Sequence, residues 1–121
     1  MKIALAVLAA ITASTQAGKT TEGEVARKPP QGSYAIYSGE LDVKQAPTRQ
    51  DRKLAIDITG PAARDVFDSL YPDAQASCSG TKGERLRGKG EVWCIYQPPD
   101  SYRCFLGFNL RTGASIAGAS C

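Results

Sequence analysis

The sequence predicts an α+β domain, a small antiparallel β-sheet carrying one short amphipathic helix and fastened by two disulfides. Three observations lead there. Lys53–Thr59 (KLAIDIT) alternates apolar and polar residues, as a half-buried strand does. Just after it, Ala63, Val66, Phe67 and Leu70 recur at helical spacing. The stretch Val92–Cys121 then holds three of the four cysteines, most of the large apolar side chains and two hairpin signals.

Residues 1–17 read as an export signal: Lys2 is the positive start, Ile3–Ile11 the apolar middle, and Thr15-Gln16-Ala17 a small-residue cleavage site before Gly18. The apolar run is shorter than the roughly 20 residues that a membrane helix needs. No cysteine stands at the cleavage site to take a lipid. A periplasmic or secreted mature chain starting near Gly18, without a membrane span, is therefore expected. Four cysteines in a small exported chain read as two disulfides. They have neither the C-x-x-C spacing nor the histidine help of a metal site, so no metal or cofactor is expected. The formal charge of +3 falls to +2 once Lys2 is gone, which makes no electrostatic case for nucleic acid.

Gly18–Gly32 is polar, rich in Gly and Pro and without period, and reads as a flexible N-terminal arm; residues 33–121 then form one disulfide-stapled domain. Ser33–Leu41 suits a first strand, and Asp42–Asp51 a polar connection. In Lys53–Thr59, Leu54, Ile56 and Ile58 face one side. At Thr59-Gly60-Pro61 the period changes: Thr59 or Gly60 caps, Pro61 fits the first helical turn, and the helix stops before Tyr71-Pro72. Pro72–Gly83 is turn-like. Glu84–Gln97 reads as one long strand in which Gly88 and Gly90 mark a bulge or a close backbone approach, placing Arg85, Arg87, Lys89 and Glu91 on one face.

Two hairpins complete the chain. With Pro99-Asp100 as a loop, Ile95 faces Cys104, Trp93 faces Leu106, and Cys94 points away from Cys104. With Thr112-Gly113 as a two-residue loop, Cys104 comes opposite Cys121 on a close-approaching pair. The expected bridges are thus Cys104 with Cys121 and Cys78 with Cys94; a three-residue loop containing Gly113 would shift the register by one and undo that pairing. One sheet face carries Trp93, Ile95, Leu106 and Phe108, the other Val92, Tyr96, Phe105 and Ile116. The helix is expected on the Trp93 face. The other face then packs on the N-terminal strand or stays partly open as a contact surface.

At Tyr102-Arg103-Cys104, Gly107-Phe108, Leu110, Gly113, Ser115-Ile116 and Gly118 the tail resembles a group of small exported proteobacterial proteins of unassigned function. The resemblance extends upstream through strand and helix; it implies a bacterial envelope setting and no particular activity. Periplasmic lysozyme inhibitors are similar in size, export and disulfide content. Their Ser-Gly-x-x-Tyr motif is not met, because Ser38-Gly39 is followed by Glu40, Leu41 and Asp42.

The chain has no histidine, which removes Ser-His and Cys-His catalysis, and oxidised cysteines offer no thiolate. Its aspartates are scattered. The expectation is a non-enzymatic binding protein with an envelope or extracellular protein as partner, in its specific form an inhibitor of an envelope hydrolase. Tyr96, Tyr102 and Arg103 are its candidate contacts, and the loops Pro98–Ser101 and Ser79–Gly83 flank them. The alternative is a structural or anionic-glycan-associated envelope component that binds anionic polymer through Arg85, Arg87 and Lys89, with a steep salt dependence.

Overall fold

A computed structural model describes residues 6, 9–12 and 23–121. The expected cleavage site and mature start lie outside the described residues, as does most of the leader. Eight elements follow: β1 Gln31–Glu40, β2 Val43–Gln45, β3 Lys53–Thr59, α1 Gly60–Ser69, β4 Arg85–Lys89, β5 Val92–Gln97, β6 Ser101–Asn109 and β7 Ser115–Ile116. All strand pairs are antiparallel, in the order β2-β1-β3-β6-β5-β4, with β7 beside the second half of β6. The α+β class with one helix and two disulfides is as the sequence predicts. β3 has the expected limits, whereas β1 starts at Gln31 inside the expected arm and a short β2 occupies part of the expected connection. Among the described residues no helix is long and apolar enough to cross a membrane.

The helix forms where the period changes. Thr59 is its extended N-cap, Pro61 sits in the first turn where a missing N–H costs nothing, and the Leu70 N–H closes on the Phe67 carbonyl at 3.1 Å. Its buried residues are Ala63 and Phe67.

Four expectations are corrected. Glu84–Gln97 is a hairpin, not one strand: Lys89 pairs with Val92, and Gly90, at φ +58°, opens a two-residue turn of the kind that needs glycine first. The connection from β5 to β6 is three residues, Pro98–Asp100, so Gln97 pairs with Ser101, Trp93 with Phe105, and Cys94 with Cys104. That shift of one residue changes every facing pair. The last turn is longer than two residues: Asn109 and Ala114 close it at 2.8 Å, and β7 ends at Ile116 before it could carry Cys121 to Cys104. The bridges are therefore Cys94–Cys104 and Cys78–Cys121, with Cα separations of 4.0 and 5.3 Å, and not Cys78 with Cys94 and Cys104 with Cys121.

The fourth correction concerns the helix. It lies on the face of the Cys94–Cys104 bridge and not on the Trp93 face: Ala63, Phe67, Cys94 and Cys104 form one core, with Ile58, Val66, Leu70, Tyr96 and Tyr102 around it. A flat cystine lets the helix backbone come close, and Cys104 Sγ lies 3.2 Å from the Ala63 carbonyl. The bulkier opposite face packs Leu86, Ile95 and Phe105 with Trp93, Cys78 and Ala119. Its cover is the C-terminal tail. A side chain at Gly118 would overlap the Leu106 backbone, and one at Gly107 would come within 2.7 Å of the Ala117 carbonyl, so both glycines let the tail lie flat on the sheet. The Trp93 indole N–H donates to the Ala119 carbonyl at 3.3 Å, and Cys121 fastens the end to Cys78.

Candidate functional site

Register places apolar side chains in rows across the helix-bearing face. Gly32, Ile58 and Cys104 form one row, Tyr34, Ile56 and Leu106 the next, and Ile36, Leu54 and Phe108 the third. The helix begins at the end of β3 and covers the first row. α1 packs on β6, β5, β3 and β1 at that end of the sheet. The second and third rows lie outside both core clusters. Tyr34 is 75% exposed, and Ile36, Leu54, Ile56, Leu106 and Phe108 are half-buried. Over β1 and β3, Tyr34, Ile36, Leu54 and Ile56 floor an apolar groove of about 660 Å³, walled at one end by Pro30 and Gln31. These rows are the candidate contact surface.

The residues singled out in the sequence fall into three groups. Tyr96 and Tyr102 are cross-strand partners beneath the helix, their rings 6.4 and 5.4 Å from that of Phe67, and the Tyr96 hydroxyl donates to the Pro99 carbonyl. Arg103 points to the opposite face, where Asp57 accepts from its guanidinium and raises its pKa. Arg85 and Arg87 share the Asp73 carboxylate, each Nε at 2.7 Å, and both stand over the Phe67 ring. Arg87 also donates to the Phe67 carbonyl at the helix end, and Lys89 stands over Tyr71. The basic stripe is thus brought together, but much of its charge is engaged by Asp73 and the aromatic rings. The hydrogen bonds from Arg85 and then Arg87 hold Asp73 down to about 2.

The two flanking loops touch, with Gly83 packed against Pro98. Glu84 organises the first of them: its carboxylate accepts from the Ser77 and Ser79 hydroxyls, the Cys78 and Ser79 N–H groups, and the Gln97 amide. These bonds, led by the Ser79 hydroxyl, lower its pKa to about 2. Among the described residues no group of three or more His, Cys, Asp or Glu side chains is arranged to hold a metal.

The apolar rows were half visible in the sequence. The alternation of Leu54, Ile56 and Ile58 announces a buried-type face, and Tyr34 and Ile36 repeat it. That among the described residues no helix covers these rows follows only from where α1 starts and where it packs. No protein-family model, curated protein or solved structure matches the chain.

Proposed function

We propose that this chain is a non-enzymatic binding protein of the bacterial envelope, periplasmic or secreted, that takes a protein partner on the apolar rows beside α1. The observation that carries the reading is the face formed by Tyr34, Ile36, Leu54, Ile56, Leu106 and Phe108, left outside both core clusters on a sheet already stiffened by two disulfides. A preorganised apolar surface binds without the ordering cost that a mobile segment bears. Two disulfides suit an oxidising compartment. The partner in this reading is an envelope hydrolase that presents an apolar protrusion and is inhibited when that protrusion is held.

The test is capture from envelope extract on the immobilised, oxidised chain at moderate salt, with the Ile56→Asp variant alongside. One stoichiometric protein should be retained by the wild type and lost by the variant, and its hydrolase activity should fall on titration with the chain. Retention that Ile56→Asp leaves unchanged, or a partner whose activity the chain does not affect, overturns the proposal. Trp93, the only tryptophan, lies on the opposite face and reports whether the variant is folded.

A further inference from the structure

The sheet has two outer edges, and they differ. On β4, Arg85, Arg87 and Lys89 supply charges of the kind that keep an edge from pairing. The Leu86 carbonyl on that edge already accepts the Ala74 N–H at 2.7 Å. On β1, the run Gln31–Tyr37 pairs with β3 along one side, and β2 takes up the other side only from Ser38 onward. Between Gln31 and Gly39 there is no charged residue and no proline.

The bonding phase of this edge follows from the ladder. Leu110 N–H donates to the Arg52 carbonyl at 2.8 Å, so in β3 the even-numbered residues bond to β6 and the odd-numbered residues to β1. On β1 the odd-numbered residues are then used by β3. The N–H and C=O groups of Gly32, Tyr34 and Ile36 point outward. Ser38 and Glu40 continue that phase and face Gln45 and Val43 of β2. Gln31–Ala35 are exposed.

We propose that β1 pairs with β1 of a second copy of this chain, antiparallel about a two-fold axis at Tyr34, to make one continuous sheet. The limits of the free run select this occupant. It is closed at one end by Pro29-Pro30, which have no N–H to offer, and at the other by β2. Tyr34 is its midpoint. Two-fold pairing there sets Gln31 opposite Tyr37 and Gly32 opposite Ile36 of the second copy, uses the outward groups of all three residues, and enters neither the prolines nor β2. Among the described residues the chain before Gln31 turns toward the helix, where Lys28 lies 3.9 Å from Asp65. The paired runs Gln31–Tyr37 bring no charged residue to the seam, and the row Tyr34, Ile56, Leu106 of each copy runs into that of the other. Such a self-matching patch is what an isologous interface requires. The inference needs only the edge, and not the partner protein proposed above.

Sedimentation velocity of the oxidised chain over a concentration series tests it, with Tyr34→Lys and Tyr34→Glu alone and mixed. Wild type should dimerise reversibly, and each variant should raise the dimer Kd by about tenfold or more, because like charges would then face each other across the axis. An equimolar mixture of the two should dimerise again, since only a residue that meets its own copy gives this rescue. A wild type that stays monomeric throughout, a dimer indifferent to both variants, or a mixture that fails to recover overturns the proposal. A monomer that instead binds an extended peptide along this edge also overturns it, in favour of strand addition by another protein. Tyr34 is exposed, so at concentrations where the wild type is monomeric both variants should share its melting temperature, and only the wild type's should rise with concentration.

Discussion

The two ends of the sheet are built differently. At the β5-β4 end both faces are covered: α1 lies on one and the C-terminal tail on the other, and both disulfides, the Asp73 fork and the Glu84 loop are there. At the β1-β3 end the strands are long and well paired, but among the described residues no element covers the helix-side rows, and the run Gln31–Tyr37 on the outer edge carries no charge. Both disulfides lie at the first end, and the exposed apolar rows lie at the other. A domain of this size has little apolar surface to bury, and it places one covalent staple under its short helix and the other at the end of the tail on the opposite face.

The sharpest way to break this contrast is to truncate one aromatic at each end. Phe67→Ala should cost about 3–5 kcal/mol in denaturant unfolding, because Phe67 is 1% exposed and packed against Tyr96, Tyr102 and the cystine. Phe108→Ala, at the open end, should cost only about 1–2 kcal/mol. Equal losses would mean that the second end is as well packed as the first.

Removing the staples ranks next. By loop entropy, Cys78→Ala with Cys121→Ala should cost about 4 kcal/mol and Cys94→Ala with Cys104→Ala about 3 kcal/mol, since the closed segments span 43 and 10 residues. Only the first pair should shift Trp93 emission to the red, because it frees the tail whose Ala119 carbonyl accepts from the indole. A smaller effect of about 1–3 kcal/mol is expected of Gly118→Ala, whose added methyl would push the tail off the Leu106 backbone.

Acid should loosen the closed end first. Asp73 and Glu84 both have folded pKa values lowered to about 2, by arginine and by hydroxyl and amide donors respectively. A depressed carboxylate contributes stability that is fully present above its unfolded pKa, about 4. That contribution should be lost as pH falls from about 4 through 2. Amide exchange followed over this range should rise in Ser77–Glu84 before it rises in β3, and Glu84→Gln should flatten the response. The smallest change should come from the surface that binding would use: Tyr34→Ser should alter stability by no more than about 0.5 kcal/mol, while Ile56→Asp removes partner capture.

Local pattern carried much of the architecture. The alternation of Lys53–Thr59, the change of period at Thr59-Gly60-Pro61 and the break at Tyr71-Pro72 depend on neighbours within a few residues, and they appear in the fold as the sequence implies. The even cysteine count likewise implied two bridges. What sequence could not determine were quantities that one residue of register changes. A three-residue loop at Pro98–Asp100 brings Cys94 opposite Cys104, and with that single shift the bridge partners and the facing aromatics all change. Gly88 and Gly90 were legible as a disturbance in a strand, but whether a bulge or a turn follows depends on Leu86 finding Ile95. The candidate site has the same divided origin: Leu54, Ile56, Tyr34 and Ile36 are written in the alternation, because side chains on a strand swap faces at every residue. That no described element covers them is decided by tertiary structure, because α1 packs on the first row, over Ile58 and Cys104, and the tail is drawn to the other face by Trp93 and Cys78.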